Sequence, residues 1–466
     1  MNPNESLSEN SGKATQDIGE RARPSATEVF LTGGPPTYTH VTRSNDPEDW
    51  IRETSKQGKI LVLEGPTKSG KSTATRRAFE ERNPVWVEST LIKAEEDLWA
   101  TIVQDLGGRL AETRTVERTD FSGHAQASLL SIGGGIQRRD SSETHVAIEP
   151  SESPLQQALR LLKQSGRPLV VDDCHHLADD LQRSLFTHLK SACDHSVDVV
   201  VITLTRGSRF DLRYPAELEG RVRHRLVTPW EEEELMKIAE MGFPFLGLTV
   251  SAEAHRQLAR ASWGSPLLMQ ELCRLLYLHV IENSSQDIDF VPQLFLHESC
   301  RGLGERSWRT LWDVDKDGKR YKLSSEESRT LTQLVLEAIG RLVQGRSVPT
   351  FDGIRDFVAS RLRRPLSPSL LEEACRKLSK PSMAIDERTP IVDWVETEKD
   401  RPLRVLDPYL GLYLNTRFAA FDRWMLDGPP GKVTPAEQPA QPGRQGASFA
   451  GVDDGLDSYD ASTDPA

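Results

Sequence analysis

The stretch "KILVLEGPTKSGKSTATRR", residues 59–77, decides the fold. It opens with a short aliphatic run of the length and composition of a strand buried on both faces. From about Ser72 to Arg82 the composition turns to that of a helix. Between the two lies "GPTKSGKS", Gly65 to Ser72, a full match to G-x-x-x-x-G-K-S/T placed between a strand and a helix. Glycines there let backbone N–H groups turn inward around an anion, and the helix N-terminus adds positive potential at the same point. Gly65, Pro66, Thr67, Lys68, Ser69, Gly70, Lys71, Ser72 and Thr73 are therefore the candidate phosphate cradle. In it Lys71 is set to reach the β- and γ-phosphates and the Ser72 hydroxyl to ligate Mg²⁺. An ordinary glycine-rich turn would leave the lysine–serine pair unexplained.

A cradle of this kind needs a second strand that ends in an acid. "LVVDDCHH", residues 169–176, supplies one. Asp172 is the candidate magnesium partner, and Asp173 is the carboxylate placed to polarise an attacking water. Reading Cys174, His175 and His176 as a zinc site is weaker, because adjacent histidines diverge and no second ligand cluster lies nearby in the sequence.

Around these two stretches, aliphatic strands alternate with amphipathic helices. "PVWVE" (84–88), "RPLVVDD" (167–173), "VDVVVITLT" (197–205) and "HRLVTP" (224–229) read as strands, with helices between them. The alternation predicts an α/β fold, a parallel sheet with helices on both faces. Residues 109–152 break it with a Gly- and Ser-rich segment, read as an insertion in a core spanning 29–229. Residues 230–324 are mostly helical and read as a lid and connector. In 325–427 three helices precede alternating stretches, the outline of a winged helix. Residues 1–28 and 428–466 are polar and read as disordered, the latter an acidic tail.

Composition bounds the rest. Of 466 residues, 37% are hydrophobic and 27% charged, which fits a soluble globular protein with disordered parts. No apolar run approaches the ~18 residues that span a bilayer, and the start shows no apolar signal segment. Five cysteines without CxxC spacing suit free structural thiols and a reducing cytoplasm. The net charge of −12 opposes non-specific nucleic-acid binding overall.

Taken together, "GPTKSGKS", "LVVDD", "VITLTR" and "WGSPLLMQEL" resemble the ATPase core of the STAND class and its AAA+ relatives, over roughly residues 38–280. The resemblance implies ATP/ADP and Mg²⁺ as cofactors. It implies that Thr205 and Arg206, with Thr203 as a further candidate, sense the γ-phosphate, and that Pro266 of Gly264-Ser265-Pro266 packs on the base. By the same resemblance Tyr38, Val41 and Arg43 lie near base or ribose. Arg221, ahead of Arg223, is nominated as an arginine finger presented to a neighbouring subunit, and partners would be a second copy or another protein. The residue after Pro266 is Leu267, where many such motors carry an arginine, and the water-polarising acid is an aspartate where fast hydrolases carry glutamate. Both departures favour a slow switch.

Two smaller signals remain. "DVDKDG" (313–318) starts like a calcium loop, but its twelfth position is Ser324, so it reads as an acidic turn. Residues 354–380 hold seven bases (Arg355, Arg361, Arg363, Arg364, Arg376, Lys377, Lys380) against three acids. DNA contact through a recognition helix at "SLLEEACRKLSK" is therefore an alternative. Glu372 and Glu373 at the start of that helix would repel phosphate.

Overall fold

A computed structural model of the chain describes residues 23–109, 152–205, 212, 214–282, 287–343, 349–380, 390–395 and 400–417. The acidic tail, residues 110–151 of the insertion read at 109–152, and Arg206 lie outside the described residues.

Five parallel strands form the central sheet: β1 Ile60–Gly65, β2 Val85–Glu88, β3 Leu169–Asp172, β4 Val199–Leu204 and β5 Val222–Leu226. Their spatial order is β2-β3-β4-β1-β5. Every residue of β1 and of β4 is buried, as their aliphatic runs require. Successive side chains point to opposite faces. Ile60 and Val62 join one core with the helices Glu95–Asp105, Pro154–Ser165 and Asp179–Asp194. Leu61 and Leu63 join another with Ile51, Phe79, Val200 and Ile202. The chain thus has the α/β P-loop NTPase fold, its sheet covered on both sides.

The register aligns the strand ends that matter. Gly65 pairs with Leu204 in β4, and Glu64 pairs with Leu226 in β5. The C-terminal ends of β1, β3 and β4 therefore meet along one edge of the sheet, where parallel α/β folds place their ligands.

Beyond β5, helices Glu232–Phe245, Ala252–Ala261 and Pro266–Glu282 build a second core. Ala26, Val29 and Phe30 belong to it as well, from a helical turn at Ala26–Val29 held by a Ser25–Glu28 capping box. Residues 23–28, read from the sequence as part of a disordered terminus, thus include a helical turn whose Ala26 is buried in this core. The helix Gln293–Asp313 is about 32 Å long at 1.5 Å per residue. It places Phe295 and Leu296 in this core and Trp308 and Leu311 in the next.

That third core is made by helices Leu331–Leu342, Phe351–Leu362 and Pro368–Leu378, the antiparallel strands Val392–Trp394 and Leu403–Val405, and the helix Pro408–Arg417. The first of the three helices expected in 325–427 starts only at Leu331. Ser328–Thr330 pairs as a strand with Arg320–Lys322, and Thr330 then caps the helix in a box with Gln333.

Candidate functional site

The phosphate loop is shaped by its glycines and closed on its lysine. A Cβ on Gly65 would lie 2.5 Å from the Val227 carbonyl, so only glycine lets β1 pass so close to the segment after β5. Gly70, at φ +92, caps the helix Lys71–Ala78. The Lys71 ammonium is buried and donates to the carbonyls of Gly65 (2.9 Å) and Pro66 (2.6 Å). Burial pushes its pKa down to about 8, against the opposing pull of Asp173, Asp172 and Glu64. An anion in the cradle would return to that ammonium the charge partner that burial denies it.

β3 delivers the acids. Asp172 accepts a hydrogen bond from the Ser72 hydroxyl and, at 3.0 Å, from the Asp173 backbone N–H. Burial and then the charge of Asp173 raise its pKa, and these hydrogen bonds oppose the rise. The Ser72–Asp172 contact joins the two oxygen donors that a Mg²⁺ site needs, so the residues fit the ion. Asp173 turns the chain with φ 54 and ψ 40, a left-handed conformation that an aspartate tolerates better than most residues, and its side chain faces the cavity. Cys174 beside it is buried and its thiol is pushed up to about 12 by that burial, which makes it a core residue. The rings of His175 and His176 lie 4.2 Å apart, and both line the cavity.

That cavity, of about 470 Å³, runs from Thr67–Ala74 and Asp173 to the N-terminal segment and the lid helix. Val41 and Pro266 line it. Tyr38 does not. It packs edge-on against Phe245, 5.0 Å away, on the lid core, and the neighbouring Thr39 faces the cavity instead. Arg43 reaches the cavity wall, but its guanidinium is committed to Glu234 (3.2 Å) and to the carbonyls of Thr228 (3.1 Å) and Pro229 (3.3 Å), over the Trp230 ring. It clamps the N-terminal segment to the lid from the cavity wall.

The sensor residues separate. Thr203 is buried inside β4. Thr205 lines a smaller cavity of about 310 Å³ behind Pro66 and Thr67, with its hydroxyl oxygen buried and unpaired among the described residues. Arg221 precedes Val222, which pairs with Ile60 at the end of the sheet away from Gly65, and it binds Asp194 at 2.6 Å. It does not serve the phosphate loop of its own chain. Arg223 lies on β5 and is exposed.

Several contacts were missed from the sequence. Trp230 donates its indole N–H to the Ser69 carbonyl at 3.0 Å, and its backbone N–H to Gly264 of the lid, also at 3.0 Å. The Ser265 hydroxyl donates to the Lys68 carbonyl at 3.1 Å. Most unexpectedly, the C-terminal hairpin reaches the phosphate loop. Lys68 Nζ lies 3.2 Å from Asp407 Oδ1 and 4.7 Å from the Tyr409 ring centre, and Ile391, Leu406 and Asp407 line the main cavity. The Asp407 carboxylate also accepts from Ser307 (2.6 Å) and from the backbone of Tyr409 (3.2 Å). The only sequence signal was an Asp-Pro pair at a helix start.

The basic stretch is largely neutralised from within. Arg355 pairs with Asp352, Arg361 with Glu327 and Glu337, and Lys377 with Asp315 and Glu373. Arg376 lies over Trp394 and Arg364 over Tyr321. Asp315 belongs to the acidic turn, so its carboxylate is taken up by Lys377.

No protein-family profile matches the chain, and no curated protein does. Solved structures are similar to it at low identity. A Walker-type ATPase of Pyrococcus abyssi is 16% identical with a TM-score of 0.48, covering 83% of this chain and 99% of its own. The Thermotoga maritima RuvB Holliday junction branch migration motor is 12% identical with a TM-score of 0.38, over 78% and 92%. The Aeropyrum pernix Orc1 protein, solved in complex with DNA, is 12% identical with a TM-score of 0.39, over 86% and 96%. No described helix is long and apolar enough to cross a membrane.

Proposed function

We propose that the chain is an ATP-binding, slowly hydrolysing regulatory ATPase of the STAND/AAA+ type, in which the nucleotide state sets the position of a C-terminal winged-helix-like unit. The observation that carries this reading is the Lys68–Asp407 contact, because it ties that unit to the loop that would hold the phosphates. Lys71 and the backbone of Gly65–Thr73 bind the β- and γ-phosphates. Ser72 and Asp172 hold Mg²⁺, which supplies positive charge to the phosphate oxygens. Asp173, facing the cavity, orients and deprotonates the attacking water. Its short side chain and the absence of an arginine at Leu267 favour slow turnover.

The switch follows from shared groups. Lys68 lies in the phosphate loop, so an added γ-phosphate competes with Asp407 for its ammonium and repels the Asp407 carboxylate. The hairpin and the helix after it are then released or shifted, and a second copy or a protein partner reads the new surface. A DNA-gripping loader is the alternative. Internal pairing of the winged-helix bases gives it less support.

The test is the nucleotide content and steady-state ATPase rate of purified protein beside Lys71→Ala. Retained ADP with little turnover, both lost in the variant, supports the switch. Brisk turnover without retained nucleotide points to a cycling machine, and a wild type that neither holds nor hydrolyses nucleotide sinks the assignment.

A further inference from the structure

Besides Asp173, two residues other than glycine take left-handed backbone where the lid meets the phosphate loop: Lys68, at φ 58, and Trp263, at φ 53. Neither gains from it. The Cβ crowds the backbone, and neither side chain has the short polar group that lets an aspartate or asparagine settle there. Residues in such conformations persist where their surroundings fix them.

The surroundings of Trp263 are specific. A Cβ on Gly411 would run into its ring, so the indole rests on the backbone of the helix Pro408–Arg417 and only glycine admits it there. Glycine is otherwise a poor choice inside a helix. Trp263 comes from the lid, yet its side chain packs against the third core. Two residues on, the Ser265 hydroxyl donates to the Lys68 carbonyl at 3.1 Å. One helical turn before Gly411 stands Asp407. Its carbonyl accepts the Gly411 N–H at 3.1 Å, and its carboxylate lies 3.2 Å from the Lys68 ammonium.

These contacts close a ring. It runs from the Lys68 ammonium to Asp407, along one turn to Gly411, and across to the Trp263 side chain. From there it passes through Gly264 to Ser265 and back to the Lys68 carbonyl. A side chain that only filled space could do so from a relaxed backbone. Here left-handed Trp263 is followed by left-handed Gly264, at φ 74. That turn sends the indole to the C-terminal helix and the Ser265 hydroxyl to the phosphate loop.

We infer that Trp263 is a positioning residue: seated on Gly411, it sets where the C-terminal helix presents Asp407 to Lys68, and so ties the lid to the grip of the phosphate loop. This rests on the reading that the loop binds a nucleotide. Trp263 acts through Asp407 and not on the phosphates. Lifting the indole off Gly411 moves Asp407 away from the ammonium, and the loop loses the contact that holds the C-terminal unit against it.

The experiment is stopped-flow displacement of a fluorescent ADP analogue from full-length protein, in two double-variant cycles. Gly411→Ala puts a Cβ where the indole sits and should speed release about tenfold, the low end of what an overfilled contact costs. In an Asp407→Asn background the contact is already weakened, so Gly411→Ala should add less than about twofold. In a Trp263→Gly background the clash is gone and alanine suits a helix better than glycine. There too Gly411→Ala should change release by less than about twofold. An effect of Gly411→Ala below about twofold on its own overturns the inference and leaves the nucleotide site standing. So does a tenfold effect that survives in either background, since the helix would then answer to something other than the indole, or act without Asp407. Should Trp263→Gly fail to fold, the Asp407 cycle decides alone. A wild type that binds no ADP analogue sinks the nucleotide reading first, and this inference with it.

Discussion

The ammonium of Lys68, in the phosphate loop, lies 3.2 Å from the carboxylate of Asp407, which stands 339 residues further along the chain. The two groups are partly exposed, so their attraction alone is modest. What raises its importance is position. Asp407 is held by Ser307 and by the backbone of Tyr409, and the ring of Tyr409 lies beneath the same ammonium. A rigid carboxylate is thereby presented to the loop proposed to bind the phosphates.

Neutralising either partner should loosen the closed arrangement. Lys68→Gln and Asp407→Asn are each expected to speed ADP release about five- to tenfold, equivalent to about 1 kcal/mol. Since both remove one interaction, the double variant should be no faster than the faster single one. Stopped-flow displacement of a fluorescent ADP analogue reads this directly. Additive effects in the double variant would show that the residues act separately.

Lys71 gives a pH dependence whose sign is fixed. Its folded pKa lies near 8, below the ordinary lysine value, because burial penalises the ammonium. Below pH 8 the free protein already carries the charge that a phosphate needs. Above it, binding must take up a proton. ADP affinity should therefore be level from about pH 7 to 8 and then fall, approaching tenfold per pH unit. Lys71→Arg, charged throughout, should show no such fall if it binds at all. A flat wild-type profile up to pH 9.5 would mean that Lys71 is not the group the phosphate meets.

The parts of this site that were legible are local ones. An aliphatic strand, a glycine loop and a helix start lie within 59–77, and the acids of β3 follow another aliphatic run. Each is set by a short sequence whose backbone needs only its neighbours. Thr39, and not Tyr38, lines the cavity, and nothing local in this bend says which of the two side chains meets the lid core. Thr39 and its hydrogen-bond partner Gln270 are 231 positions apart, and Lys68 and Asp407 are 339 apart. Such pairs exist only once three cores are packed, and no periodicity in the sequence announces them.

Trp230 should prove a positioning residue for the loop. Its indole N–H holds the Ser69 carbonyl, and its backbone holds Gly264 of the lid. Trp230→Phe keeps an aromatic ring, a smaller one, and deletes the donor, leaving a buried carbonyl unpaired at a cost of about 1–3 kcal/mol. ADP affinity should drop about tenfold, because the loop's N–H groups are no longer fixed in direction. Circular dichroism should report an unchanged fold, and the melting point should fall by only a few degrees. An ADP affinity within twofold of wild type would remove the indole from this role.

The two acids of β3 should separate by experiment, since their surroundings differ. Asp172 is half-buried and accepts from the Ser72 hydroxyl, whereas Asp173 is exposed and lines the cavity. Asp172→Asn keeps the shape but removes the charge opposite Ser72, so the dependence of ATP affinity on Mg²⁺ concentration should flatten. Asp173→Asn should leave that dependence and the ATP affinity within about threefold of wild type, and slow hydrolysis by about 100-fold or more, the usual contribution of a positioned general base. Single-turnover hydrolysis and Mg²⁺-titrated binding on both variants make the comparison. If Asp173→Asn hydrolyses as wild type does, water is activated elsewhere and the slow-switch mechanism loses its base. If Asp172→Asn keeps a full Mg²⁺ response, the Ser72–Asp172 contact is structural, and the ion must find its oxygen ligands on other residues of the loop.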